Sequence, residues 1–161
     1  MAGRTDTASR LIAAAPATIY RALTDPGAVA VWLPPANMTG EIIAFEARVG
    51  GEFHMILTYR DRDSGTRGKS GEDFDVVHGR FESLQPDREI VQSLVFESDD
   101  PAFAGTMRMT WRLDPVAGGT EVTIRCDNVP PGINPHDHAA GMDFSLGNLA
   151  DFLANPDHDR T

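Results

Sequence analysis

Among the groups in this chain able to move a proton, bind a metal or act as a nucleophile are its histidines, a single cysteine and scattered carboxylates. His136, Asp137 and His138 stand together, but side chains two apart on a helix point nearly opposite ways. The two histidines therefore cannot clasp one ion, and no metal site is expected. His138 and Met142 are spaced i and i+4, which lets His138 reach the mouth of any cavity that the same helical face covers. His78 sits beside Gly79 in a strand-like segment, where a missing side chain lets something approach the backbone. Strand alternation leaves open which face His78 takes. Tyr59 and Gln92 also lie in strand-like apolar segments, and with His78 they are the candidates for proton transfer in a catalytic role. His54 has the opposite parity to Phe53 and Met55 and is placed outside. No Ser/His/Asp arrangement or nucleophile elbow occurs, and Cys126, in phase with Val122 and Ile124, is expected to be a small buried hydrophobe. The acids Asp61, Asp63, Glu72, Asp73 and Asp75 do not follow the progression of a calcium loop. A solvated loop, a candidate lid, is expected there.

These residues need elements to position them. A strand is expected over Ser9 to Ala14, then a helix opened by Pro16, with Ile19, Tyr20 and Leu23 at helical spacing, and stopped by Asp25-Pro26. A second helical turn runs from Gly27 to Trp32, and Pro34-Pro35 opens a loop that reaches Gly40. From Glu41 the period changes to two, with Phe53, Met55, Leu57 and Tyr59 in alternation. Asp61 to Asp73 forms the loop to a strand over Val76 to Leu84, and Pro86-Asp87 turns the chain into a strand over Glu89 to Glu97. After a turn at Asp99-Asp100-Pro101, Met107, Met109, Trp111 and Leu113 alternate. Gly118-Gly119 then leads to a last strand over Thr120 to Cys126. Asn134 caps a final helix opened by Pro135, whose stripe Met142, Leu146, Leu149 and Leu153 runs to Asn155-Pro156. The order predicts an α+β fold, a curved antiparallel sheet covered on one face by the last helix.

The chain of 161 residues fits one domain, residues 1–161 with a core of about 9–153. A net charge of −10 repels phosphate backbones and anionic lipid, so neither nucleic acid nor a membrane surface is an expected partner. No apolar run approaches the ~20 residues of a membrane span, and membrane insertion is not expected. The segment Met1-Ala2-Gly3-Arg4-Thr5-Asp6 lacks the pattern of a secretory signal, and a cytoplasmic location is expected. One cysteine forms no internal disulfide, and no cofactor is expected.

The motifs resemble the START-like, SRPBCC or helix-grip superfamily, and within it the bacterial branch similar to the activator of heat-shock-protein ATPase. The marks run in order from about Ser9 to Leu153: Ala15-Pro16, Tyr20-Arg21-Ala22-Leu23-Thr24-Asp25-Pro26, Trp32, Gly50-Gly51-Glu52-Phe53 and His78-Gly79-Arg80-Phe81. Then come Pro86-Asp87-Arg88-Glu89-Ile90-Val91, Gly118-Gly119-Thr120-Glu121-Val122 and His138-Ala139-Ala140-Gly141-Met142. Met142 stands where the family usually has an aromatic. The resemblance implies about seven strands wrapped around the C-terminal helix, two short helices after the first strand, and an apolar cavity between sheet and helix. It thus implies binding of a small hydrophobic or amphipathic molecule by Trp32, Phe53, Met55, Leu57, Tyr59, Phe81, Met107, Met109, Trp111, His138, Met142, Leu146 and Leu149. Packing alone demands such a stripe, and only the resemblance adds a void. Two alternatives follow from related branches. One is a cyclase or aldol-type enzyme with a polar cavity residue, His78, Tyr59 or Gln92. The other is a chaperone-associated, stress-response or dimer-forming interaction domain. The Asn- and Trp-rich signature of the eukaryotic activator's chaperone-binding domain is absent, which weighs against a chaperone partner.

Overall fold

The structure, a computed structural model, describes residues 4–34, 38–59, 74–98 and 100–154, without the side chains of residues 38, 59, 74 and 75. The described residues form seven strands: β1 (Arg4–Ile12), β2 (Met38–Phe45), β3 (Glu52–Tyr59), β4 (Phe74–Gln85), β5 (Glu89–Phe96), β6 (Met107–Val116) and β7 (Gly119–Val129). Helices α1 (Pro16–Thr24) and α2 (Pro26–Trp32) follow β1, and α3 (Pro135–Ala154) ends the described chain. The strands make one antiparallel sheet in the order β1-β7-β6-β5-β4-β3-β2. Hairpin neighbours thus lie side by side from β2 to β7, and β1 joins at the far edge, with Thr7 opposite Arg125 and Ile12 opposite Thr120. Register shifts between Arg4 and Asp6, Ile42 and Ala44, and Phe81 and Ser83 are bulges, which bend strands and increase their twist. The result is a sheet curved about α3.

β1 begins at Arg4 and ends at Ile12, earlier at both ends than the apolar pattern of Ser9 to Ala14 predicts. Its first half carries no apolar alternation, and pairing with β7 holds it in the sheet. The chain then turns, with Ala14 N–H donating to the Ile12 carbonyl at 2.8 Å and the Thr120 hydroxyl donating to the Ala14 carbonyl at 2.7 Å. β2 starts at Met38, inside the expected Pro34 to Gly40 loop. The expected loop over Asp61 to Asp73, Asp99 of the following turn, and the chain beyond Ala154 lie outside the described residues. Asp100 caps a single 3-10 turn over Pro101–Phe103, its carboxylate accepting from Ala102 N–H at 2.9 Å.

Helix ends follow capping chemistry. Asp25 accepts from Gly27 N–H at 3.0 Å to start α2, and Asn134 Oδ1 accepts from the N–H groups of His136 and Asp137 at 2.9 and 3.1 Å to start α3. Trp32 Nε1–H donates to the Ala22 carbonyl at 3.1 Å and ties α2 to α1. The ring of Trp32 meets Trp111 edge to face, with centroids 5.4 Å apart. A second aromatic cluster joins Phe45, Phe53 and Phe81 in edge contacts of 5.3 to 6.3 Å. The C-terminal half of α3 closes the core, with Leu146 and Leu149 fully buried. No helix among the described residues is long and apolar enough to cross a membrane.

Candidate functional site

The curved sheet and the N-terminal half of α3 do not meet everywhere. A hollow of about 200 Å³ remains between them, closed on a third side by α2. The strands present their inner faces to it at period two, as β5 does with Ile90, Gln92, Leu94 and Phe96. From β3 come Phe53, Met55 and Leu57, and from β6 Met107, Met109 and Trp111. Trp32 enters from α2, and His138, Gly141, Met142 and Ser145 come from α3. The remaining wall is Leu23, Val29, Leu33, Phe45, Val77 and Ile124. The arrangement is an apolar chamber with a few polar groups.

Most of the residues assigned to a cavity from sequence stand around this one. Phe81, Leu146 and Leu149 do not: each is fully buried and packed. Phe81 is filled against Phe45 and Phe53, and the hollow stops at Ser145, before α3 reaches its solid contact with the sheet. The Tyr59 side chain lies outside the described residues. Strand parity alone distinguishes inner from outer faces, not how far α3 stands off the sheet. The same parity does carry a signal for Ile90, Leu94 and Phe96, which flank Gln92 at two-residue spacing.

His78 takes the outer face. Its Nε2 lies 2.9 Å from Glu97 Oε2, its ring stacks at 4.1 Å on cross-strand His54, and both form part of a shallow groove with Arg80 and Ser93. His54 is therefore outside as well, and neither faces the chamber. The close approach that Gly79 permits is made by the neighbouring strand: a Cβ there would stand 2.5 Å from both the Leu94 side chain and the Ser93 carbonyl oxygen. Glycine at this position lets β4 and β5 come together, and no ligand needs to approach it.

His138 occupies a different setting. Its Nδ1 lies 2.7 Å from Asp6 Oδ2, with side chains only 14% and 12% exposed. Arg4 clamps the same carboxylate, Nε to Oδ1 at 3.0 Å and Nη2 to Oδ2 at 2.9 Å. Those Arg4 hydrogen bonds hold the Asp6 carboxyl below the usual range, partial burial works against them, and His138 reinforces them. An ionised carboxylate only accepts, so Nδ1 of His138 carries the proton and Nε2 is the ring nitrogen left over. Sequence reading did not find Arg4 and Asp6, the latter 132 residues from His138 along the chain.

Cys126 is buried beneath Met142, sulfur to sulfur 4.0 Å, and burial first, then Asp6 and Asp127, push its thiol up to about 12. It packs as a hydrophobe rather than acting as a thiolate. Among the described residues no group of three or more His, Cys, Asp or Glu side chains is placed to hold a metal ion.

A seven-stranded antiparallel sheet bent around a long C-terminal helix defines a helix-grip α+β protein. The chain belongs to the family described as Activator of Hsp90 ATPase homolog 1-like protein, whose model matches residues 13–154. Solved structures agree in fold. A Chromobacterium violaceum protein is 30% identical with a TM-score of 0.81, over 94% of this chain and 97% of that one. A Rhodobacter sphaeroides protein is 23% identical with a TM-score of 0.76, over 96% and 97%. An AHSA1-like protein from Aeromonas hydrophila is 17% identical with a TM-score of 0.68, over 92% and 90%. Among curated proteins, none matches the chain.

Proposed function

We propose that this protein binds a small, largely apolar molecule in the chamber between its sheet and α3. The observation that carries the reading is the void itself. Cores pack at crystal-like density with few holes larger than a water molecule, yet about 200 Å³ is left open among Trp32, Trp111, Met55, Met107, Met109 and Met142. A dry apolar cavity of ~150 Å³ admits a benzene ring, so this volume suits a body of one to two fused rings or a short branched chain. Methionines let such a wall adapt to its occupant. The size and the lining support carriage or sensing of a hydrophobic compound.

Native mass spectrometry of freshly purified protein, before and after organic extraction, tests this. The expected result is a discrete adduct that extraction removes. A clean mass together with no saturable binding of small aromatic probes overturns it.

One observation favours a second reading, proton-transfer catalysis of the cyclase or aldol type. His138 is oriented by Asp6 and borders the chamber, an arrangement suited to a general base. In that reading His138 replaces His78 as the working histidine, and His138→Gln abolishes turnover of the bound compound while leaving its binding in place. The exposed large apolar side chains among the described residues, by contrast, sit singly on separate segments: Leu11 on β1, Val31 on α2, Ile43 on β2, Val49 in the following turn, Val95 on β5, Val116 on β6 and Phe144 on α3. They favour no interaction surface in particular.

A further inference from the structure

Three polar side chains among the described residues are buried outright, and two are satisfied. Thr120 donates to the Ala14 carbonyl at 2.7 Å, and Ser145 donates to the Leu33 carbonyl at 3.1 Å. The third, Gln92, is 8% exposed, and its side-chain amide has no hydrogen-bond partner among the described residues. It stands in β5 between Ile90 and Leu94, opposite Met109 on β6 and Phe81 on β4, at a position whose parity calls for an apolar side chain. Buried polar groups are nearly always paired, because an orphan gives up its bonds to water and gains nothing. An amide facing into an apolar chamber can be satisfied only by something inside that chamber, water or ligand.

We infer that Gln92 is the recognition point of the chamber, and that its ligand is a neutral molecule with a ring-sized apolar body and one group offering both a donor and an acceptor, such as a carboxamide or an un-ionised carboxylic acid. The inference rests on the chamber's being a binding site. The side-chain amide presents a carbonyl acceptor and an N–H donor side by side, and a planar group with the complementary pair satisfies both at once. Neutrality follows from the surroundings. No lysine or arginine among the described residues lines the chamber to pair with an anion at Gln92, and the one basic side chain of the wall, His138, is already tied through Nδ1 to Asp6. A desolvated charge without a partner is excluded from so apolar a wall. An unpaired amide also selects by rejection, because an apolar ligand that fills the chamber leaves it orphaned.

The test uses two probes of equal heavy-atom count and similar shape, naphthalene-2-carboxamide and 2-isopropylnaphthalene, against the intact chain and its Gln92→Met variant. Binding is followed through the indole N–H resonances of Trp32 and Trp111, the two tryptophans of the chain. The expected result is a ratio of the two affinities that shifts at least ~10-fold toward the hydrocarbon in the variant, the size of effect that loss of a buried hydrogen-bonding pair produces. The variant without ligand is expected to melt at the same temperature or higher, since it removes an unpaired buried group. Gln92→Leu repeats both measurements with a second apolar replacement. If both probes bind and their ratio is unchanged in both variants, the inference is overturned while the chamber stands as a binding site. If the hydrocarbon binds and the carboxamide does not bind the intact chain, it is overturned in the same way. Binding of neither probe overturns the chamber reading and the inference together. A melting temperature several degrees lower in both variants shows that Gln92 already has a structural partner, and also overturns it.

Discussion

Two histidine–carboxylate pairs with nearly equal separations lie on opposite faces of the sheet. His138 and Asp6 are 2.7 Å apart with side chains 14% and 12% exposed, and His78 and Glu97 are 2.9 Å apart with side chains 47% and 63% exposed. Distance does not separate them, but surroundings do. The inner pair is anchored by Arg4, borders an apolar chamber and joins the first strand to the last helix. The outer pair stands in solvent-filled surface, where water competes with each bond and salt screens it. Chemical potential in this fold is therefore set by which face a residue takes and by what already holds it, and the same residue types can be structural ornament a few ångströms away through the sheet.

The contrast between faces is widest where the inner face is packed solid. Phe81 is fully buried between Phe45 and Phe53, whereas His54, next to Phe53 on β3, turns to the outer groove. Phe81→Ala is expected to cost ~3–5 kcal/mol in urea unfolding, as large-to-small aromatic replacements in cores do. His54→Ala is expected to cost ~0.5 kcal/mol or less, as surface changes do. Near-equal losses would break the distinction between the two faces of the sheet.

Asp6 gives the next largest effect. Asp6→Ala leaves the Arg4 guanidinium and His138 without their shared acceptor, and a loss of ~1–3 kcal/mol is expected. The pH dependence has a definite sign. The folded protein holds the Asp6 carboxyl below its unfolded value, chiefly through Arg4, so its contribution is complete above the unfolded Asp range near ~4 and disappears as pH falls through the lower folded value. Urea midpoints measured from pH 6 down to pH 2 should converge for the original protein and the Asp6→Ala variant at the acid end. A constant gap over that range would mean that the carboxylate charge contributes nothing and only packing was lost.

How much of this was legible in the sequence differs between the two pairs. The strands over Phe53 to Tyr59, Val76 to Leu84, Glu89 to Glu97, Met107 to Leu113 and Thr120 to Cys126 and the long capped helix follow from period-two alternation, from proline and glycine punctuation and from Asn134, because those signals act locally, whereas the count of about seven strands follows only from the family resemblance. The outer position of His54 follows from its parity with Phe53. The inner pair does not follow from any local signal. Arg4-Thr5-Asp6-Thr7 has no apolar alternation to announce a strand, and its place is fixed by β7, which arrives more than a hundred residues later. The extent of the chamber is equally non-local. Leu146 and Leu149 share the stripe of Met142, and only the stand-off of α3 from the sheet decides that Met142 faces a void while they face packed side chains. Gln92 was visible as a polar residue in an apolar strand, but that it has no partner among the described residues is a fact of three dimensions.

The smallest expected effect sharpens the comparison most, because it concerns a histidine that sequence alone made a catalytic candidate. His78→Gln removes the bond to Glu97 and the stack on His54, both at an exposed site, and should change stability by ~0.5 kcal/mol or less. It should leave probe affinities and the occupancy seen by native mass spectrometry unchanged, since β4 turns this side chain away from the chamber. The two faces are nevertheless mechanically linked through Gly79, where β4 and β5 approach so closely that a Cβ would meet the side chain of Leu94, a residue of the chamber wall. A loss of binding in His78→Gln without a loss of stability would thus mean that the outer groove controls the position of β5 from behind. Unchanged binding leaves the inner face, with His138 and Gln92, as the part of the molecule that meets the ligand.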